Sequence, residues 1–408
     1  MKRLSLLLSI LLTLILVLLP ACAKPLETVK IGVMLPFTGP LSEFGGNFQK
    51  AADLAAKQLE EAGVPVELVY ADTQTSAIPA VEAARKLVDV DQVFAIVGAA
   101  ASGVTIPIAE SVTIPKQVPL ISYASTSPLI SHLPADEGQN FVYRTCPSDA
   151  LQGVVQGRLA AEQGYKTASV IFVNNPYGQG LADVFKESFE GQGGKVLATV
   201  PHDEKAAPTY VAELKKADEG NPDVLVAISY PGHATIYLKE AIEGGFFDTF
   251  LFCDGTKSEE IIAAVGAESL EGMLGTAPGS EKGPASDAFE SAYNAEYGEL
   301  PPLPFMTNVY DAVVVTALAG LRAQLAGDLT PITLRNELNL IASPPGDVVI
   351  PGAEGIQQAV DLLKDGKDIN FEGSAGAIDF DNNGDVVTPI EIWKYTGGTI
   401  ETVRLESP

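Results

Sequence analysis

From Val29 onward the chain alternates between short β-branched apolar runs and stretches whose apolar residues recur every three or four positions. VKIGVML at 29–35 reads as a strand ended by Pro36. Phe48, Ala51, Ala52, Leu54, Ala55 and Leu59 then fall on one helical stripe across 45–62, stopped by Gly63. Strands at 66–71, 93–97 and 118–122 and helices at 78–88 and 104–112 continue the series. This βα repeat predicts a parallel sheet. It starts again with strands at 168–173, 195–200, 224–229 and 250–253 and helices at 180–189, 210–217 and 236–243. Two series in tandem predict an α/β fold of two doubly wound lobes. FVYRT at 141–145 lies between them and reads as an extended crossing, since it lacks Gly, Ser and Pro. Past Gly275, helices at 286–297 and 307–324 come with too few strands for a third sheet, so they are expected to pack back onto a lobe. Near the end, 377–380 and 386–393 read as a hairpin turning at Asn383-Gly384.

In open α/β sheets ligands sit beyond the carboxyl ends of strands, so the turns there carry the chemistry. The first series supplies small hydroxyls and bare backbone: PFTGPLSEFGG after the first strand, GAAASG after the third and YASTSP after the fourth. The second supplies aromatics and one carboxylate, in NNPYG, YPG and Asp254-Gly255. Ser102, Thr126 and Ser127 read equally as helix N-caps or as part of a site where helix starts favour a carboxylate. Asp254 reads as a cap for a helix beginning near Ser258 or as counterion to a ligand ammonium. Tyr177 and Tyr230 read as surface turn residues or as aromatic walls around a cation with an apolar tail.

Composition narrows the classes. Of 408 residues, 52 are acidic and 26 basic, a net charge of −26, and 46% are hydrophobic. That is ample core, and a charge that repels nucleic acid and anionic membrane surfaces. Met1-Lys2-Arg3 followed by the uncharged run 4–19 reads as a secretory signal peptide, short of the roughly 20 residues a spanning anchor needs. It ends Leu19-Pro20-Ala21-Cys22, which resembles the lipobox of bacterial lipoproteins, where the cysteine becomes the acylated first residue; the other reading is an ordinary cleavage site. Cys146 and Cys253 are either a disulfide or two buried thiols. His132, His202 and His233 have no metal-ligand spacing, and neither metal nor cofactor is expected.

Enzyme motifs are missing: there is no GxSxG elbow, Walker loop or HExxH. Gly178-Gln179-Gly180 opens a helix as a dinucleotide fingerprint does, but its sixth position is Asp183, which repels a pyrophosphate. DFDNNGD at 379–385 mimics a calcium loop, yet position twelve is Ile390 instead of a bidentate glutamate.

Together the blocks VKIGVMLPFTGPLSEFGGNFQKAADLA, FAIVGAAASGVTIPIAE, PLISYASTSPLIS, FVYRT and VNNPYGQGLADVF resemble the solute-binding proteins of bacterial ABC importers, of the leucine/isoleucine/valine-binding type. The resemblance implies the periplasmic binding protein-like I fold: two α/β lobes joined by three crossings, with a ligand cleft between them. It implies a signal peptide at 1–21, an acylated Cys22 and linker at 22–27, an N-terminal lobe at 28–144 plus about 276–380, and a C-terminal lobe at 145–275 plus about 381–408. It implies an extracytoplasmic, lipid-anchored monomer, not an enzyme, whose partners are an amino acid, the membrane and an ABC permease. Ser102, Thr126 and the backbone at Ala124 fall where the family binds an α-carboxylate, and Asp254 where it has an acid, most often glutamate, for the α-ammonium. Tyr177 and Tyr230 fall on two aromatic positions, and Phe44 where a tyrosine commonly lines the side-chain pocket. Losing that hydroxyl favours Leu, Ile, Val or Phe over polar amino acids. Other readings are an amide, urea or aromatic acid in the same fold, a sensory module feeding a membrane kinase, or an exported α/β hydrolase using His233.

Overall fold

The computed structural model describes residues 25–407; Cys22 and the apolar leader lie outside them. The first series forms β1 (Val29–Leu35), α1 (Ser42–Glu61), β2 (Val66–Asp72), α2 (Ala77–Asp89), β3 (Ala95–Val97), α3 (Ser102–Ile108), β4 (Leu120–Ser122) and β5 (Val142–Arg144). These strands make a parallel sheet in the order β2-β1-β3-β4-β5. FVYRT is thus the last strand of the first sheet, paired to β4, and the crossing begins after it.

The second series forms α4 (Asp149–Glu162), β6 (Thr167–Val173), α5 (Pro176–Gly191), β7 (Lys195–His202), α6 (Val211–Ala217), β8 (Val224–Ile228), α7 (Pro231–Glu243), β9 (Phe250–Phe252), α8 (Glu259–Val265) and β10 (Leu274–Pro278). The chain continues as α9 (Pro284–Tyr297), α10 (Met306–Ala326), α11 (Pro331–Ala342), β11 (Asp347–Val349), α12 (Ala353–Lys364), β12 (Ile369–Phe371), β13 (Ile390–Thr396) and β14 (Thr399–Glu406). The second sheet runs β14-β13-β10-β9-β8-β6-β7, with β13 antiparallel to both its neighbours. α9, α10 and α12 pack against α1, and α10 also lies on β1 and β3. Long and apolar enough to cross a membrane, α10 is instead buried in the fold.

Three local readings change. The hairpin expected at 377–393 is not there: the pair is β13 and β14, turning at Gly397-Gly398. Asn383-Gly384 does close a tight turn, Gly384 N–H donating to Asp381 O, but its flanks run against β5, where Arg144 N–H donates to Gly384 O. The lobe boundary expected near 276 falls inside β10, a strand of the second sheet through Pro278, which the weakly apolar LGTAP conceals. Helix α4 was not anticipated. Its buried face carries Gln152, Gly153, Gln156 and Gly157, and a Cβ on Gly153 or Gly157 would sit 2.7 or 2.6 Å from Val184 or Ser188 of α5. Close helix contact, not an apolar stripe, buries it.

Candidate functional site

In each sheet the strand order reverses beside an early strand, β1 against β3 and β6 against β8, which opens a crevice at the carboxyl ends. The two crevices face each other. Leu41, Phe44, Phe48, Ala100, Ala101, Ser102 and Ala124 line the cleft from the first lobe; Tyr177, Tyr230, Asp254 and Gly255 line it from the second, with Phe305 entering ahead of α10. Phe44 sits in the first turn of α1, held against the end of β1 because Gly45 has no side chain: a Cβ there would lie 2.5 Å from Pro36 O. Phe44, Phe48 and Tyr123 form a chain of ring contacts beneath the cleft, at 5.8 and 5.2 Å.

Most first-lobe hydroxyls serve the fold. Ser122 Oγ and Ser125 Oγ donate to Ala99 O, and Ser125 Oγ also lies 2.7 Å from Thr105 Oγ1. Thr126 does not line the cleft; its fully buried hydroxyl donates to Asp149 Oδ2 at 2.8 Å. Ser102 does, and its Oγ accepts from Ser127 N–H at 3.1 Å, which orients it.

In the second lobe Tyr177 and Tyr230 stack with centroids 5.6 Å apart and planes 10° apart. Both are buried, so neither is a surface turn residue. Asn175 fixes the pair: its Oδ1 accepts from Gly178 N–H and caps α5, while its Nδ2 donates to Tyr230 Oη. Burial pushes the Tyr177 hydroxyl's pKa up, keeping it a donor, and it donates to Asp254 Oδ1 at 2.8 Å. Gln152 Nε2 donates to the same oxygen at 2.8 Å. The cap of α8 is Ser258, whose Oγ accepts from Ile261 N–H, so Asp254 is free of that duty. Burial raises the Asp254 pKa, against the lowering by Gln152 and Tyr177.

The structure therefore brings Phe44, Ser102, Ala124, Tyr177, Tyr230 and Asp254 to one cleft, and leaves Thr126 behind its wall. Sequence reasoning did not single out Leu41, Phe48, Phe305, Gln152 or Asp149; of these Leu41 carried a signal in the turn after β1 and Phe48 in its place on the helical stripe. Asp149 is fully buried, and burial, then the Asp254 charge, pushes its pKa well up. Cys146 and Cys253 are free and buried. His233 does not line the cleft: its Nε2 pairs with Glu204 O at 2.9 Å and its Nδ1 with the buried Ser229 Oγ at 3.3 Å. No group of three or more His, Cys, Asp or Glu among the described residues is placed to hold a metal.

A family model described as periplasmic binding protein matches residues 28–373. A substrate-binding protein of a chemotactic signal transduction system from Halobacterium salinarum, BasB, is 29% identical over 93% of this chain and 90% of its own length. The leucine-, isoleucine-, valine-, threonine- and alanine-binding protein of Pseudomonas aeruginosa is 29% identical over 79% of this chain and 85% of its own. Among solved structures, the leucine-binding protein LivK of Thermotoga maritima superimposes with a TM-score of 0.78 at 28% identity, covering 93% of this chain and 99% of its own. A Rhodopseudomonas palustris solute-binding protein in complex with 3,4-dihydroxybenzoic acid shares the fold, with a TM-score of 0.72 at 20% identity over 93% of this chain and 97% of its own. These relatives bind solutes and are extracytoplasmic as a family, and with them the two-lobed chain belongs to the periplasmic binding proteins, in the leucine/isoleucine/valine-binding type of the type I fold.

Proposed function

We propose that the protein is the solute receptor of an ABC importer, capturing an apolar branched-chain α-amino acid between its lobes and delivering it to the membrane permease. The observation that carries this reading is Asp254, a buried carboxylate at one end of an otherwise apolar and aromatic cleft, across from Ser102 and Ala124. A carboxylate held out of water needs a cation, and an α-ammonium supplies one. Ser102 and the backbone at Ala124 then receive the α-carboxylate, while Phe44, Phe48 and Leu41 surround the side chain. The Rhodopseudomonas relative's aromatic acid makes that class the competing reading, with amides and urea beside it. Such ligands leave Asp254 without a countercharge, which argues against them. Thermal shift over leucine, isoleucine, valine, phenylalanine, benzoate, acetamide and urea tests the choice. A ligand at 100 times its Kd adds about 2.7 kcal/mol. The aliphatic amino acids are expected to give the largest shift; a larger one from benzoate overturns the assignment.

In the same reading Cys22 is the acylated first residue of a lipoprotein. One acyl chain anchors only marginally, so tethering relies on several. Cys22→Ser is expected to move the protein from the membrane fraction to the soluble one; retention equal to the parent's removes the anchor.

A further inference from the structure

We propose that Arg144 is a positioning residue of the ligand site: from behind the cleft wall its guanidinium sets the turn at 124–127, and through Ser127 it aims Ser102 at a ligand carboxylate. The inference rests on the reading of Ser102 and Ala124 as the carboxylate receptor.

Arg144 ends β5 and is fully buried, yet it does not line the cleft. A guanidinium brings five N–H donors in a fixed fork. All five are used. Nε donates to Asp385 Oδ1 at 2.6 Å, and Nη2 donates to Asp385 Oδ2 at 2.9 Å and to Ser131 Oγ at 2.7 Å. Nη1 donates to two backbone carbonyls of the turn after β4, Ser125 O at 3.2 Å and Ser127 O at 3.0 Å. No donor remains for a ligand and Asp385 matches the charge, so Arg144 acts on the site only through the groups it holds.

Those groups lead to the cleft. The carbonyl between the two, Thr126 O, accepts from Asp149 N–H at 2.7 Å, so Arg144 and the start of α4 fix three consecutive carbonyls. The other donors to the Arg144 pair are longer: the Cys146 thiol at 3.6 Å for Ser125 O and Ile130 N–H at 3.2 Å for Ser127 O. In a trans peptide the N–H points opposite to the C=O. With Thr126 O turned to Asp149, Ser127 N–H faces the other way, where it meets Ser102 Oγ at 3.1 Å. Ser102 lines the cleft, and Ala124 stands one residue before the first carbonyl that Arg144 grips. Because Ser102 Oγ accepts from Ser127, its own proton is left to donate to a carboxylate. A receptor fixed in this way before ligand arrives has less disorder to lose on binding.

A double-mutant cycle of Arg144→Lys and Ser102→Ala tests the relay, read by titration calorimetry as the Kd of the tightest-bound of leucine, isoleucine, valine and phenylalanine. Lysine keeps the positive charge but cannot grip Asp385 and both carbonyls at once. Arg144→Lys is expected to weaken binding about tenfold or more, because the freed turn must then be ordered by the ligand. Ser102→Ala is expected to cost about 5- to 150-fold in the parent and under about threefold once Arg144 is lysine, since a misdirected hydroxyl has little left to lose. An arginine that only supports the fold lowers Tm and leaves the two costs multiplying; that result overturns the proposal, as does Arg144→Lys binding within about threefold of the parent. Should Arg144→Lys not fold, Arg144→Gln combined with Asp385→Asn removes both charges, strands neither, and enters the same cycle. If none of the four amino acids binds the parent, or Ser102→Ala costs nothing there, the reading of the site falls first, and this inference with it.

Discussion

Asp254 carries the heaviest electrostatic duty in the cleft. Its Oδ1 is already held by Tyr177 and Gln152, so its position does not depend on ligand. Truncating one partner of a desolvated charge pair typically costs ~2–5 kcal/mol, roughly 30- to several-thousand-fold in affinity. Asp254→Asn keeps the shape and removes the charge, and is expected to lose that much affinity for an α-amino acid. Ser102→Ala, which leaves one unsatisfied group, is expected to cost about 1–3 kcal/mol. Titration calorimetry of both variants decides the ranking: an Asp254→Asn protein within about threefold of the parent, under 1 kcal/mol, leaves Asp254 without the role. At this scale the turn logic was informative for Phe44, Ser102, Tyr177, Tyr230 and Asp254, because strand ends are visible as punctuation in a sequence. It could not see Asp149 or Gln152. They sit on a helix and reach the site only through tertiary packing. Nor could it see that the Thr126 hydroxyl turns toward Asp149.

Strand β7 and helix α7 are joined by a pair of histidines. His202 Nε2 lies 2.8 Å from Ser229 Oγ and His202 Nδ1 2.9 Å from Asp203 O, while His233 Nε2 lies 2.9 Å from Glu204 O. Their rings are 4.8 Å apart. Together they pin the turn after β7, whose Glu204 packs on Gly103 at the start of α3, so the pair supports a contact between lobes. Burial lowers both pKa values to about 4, and His202 further lowers that of His233. An unfolded chain protonates these rings near pH 6.5, whereas the folded one resists until about pH 4. Their contribution to stability is therefore complete above pH 6.5 and is lost as pH falls toward 4, on the order of 3 kcal/mol for each ring. His233→Gln is expected to flatten the fall of Tm between these pH values by about half of the histidine share. A parent-like slope removes the histidines as its cause. Elements were legible wherever their period was clean, as in β1, α1 and β6. The α4 stripe was masked by Gln and Gly, and β14 by the polar alternation of an exposed edge strand.

The two lobes meet through a few bonds across the cleft mouth. Glu43, next to Phe44 on α1, accepts from the Ser258 hydroxyl and from the backbone N–H groups of Glu259 and Glu260 at 2.8 and 3.2 Å, so a first-lobe carboxylate caps the second lobe's α8. Gly232 N–H donates to Pro40 O at 3.0 Å, and Ser127 Oγ to Pro176 O at 2.8 Å. The family resemblance foretold two lobes closing on a cleft, but no motif in the sequence marks Glu43, since its partners lie more than two hundred residues away. Parting the lobes would break these bonds, so if the protein closes on its ligand they add to the stability of the closed state. Hydrogen bonds to a charged group are worth about 1.5–3 kcal/mol net. Glu43→Ala touches no ligand atom, yet it lowers the closed fraction and with it the apparent affinity, by roughly 10- to 100-fold. Small-angle scattering should show the parent shrinking on addition of its ligand, with the variant reaching the same radius of gyration only at proportionally higher ligand concentration. If Glu43→Ala binds within about threefold of the parent, under 1 kcal/mol, the cap on α8 does not govern closure. If the parent's scattering profile is unchanged at saturation, the lobes do not close on the ligand at all.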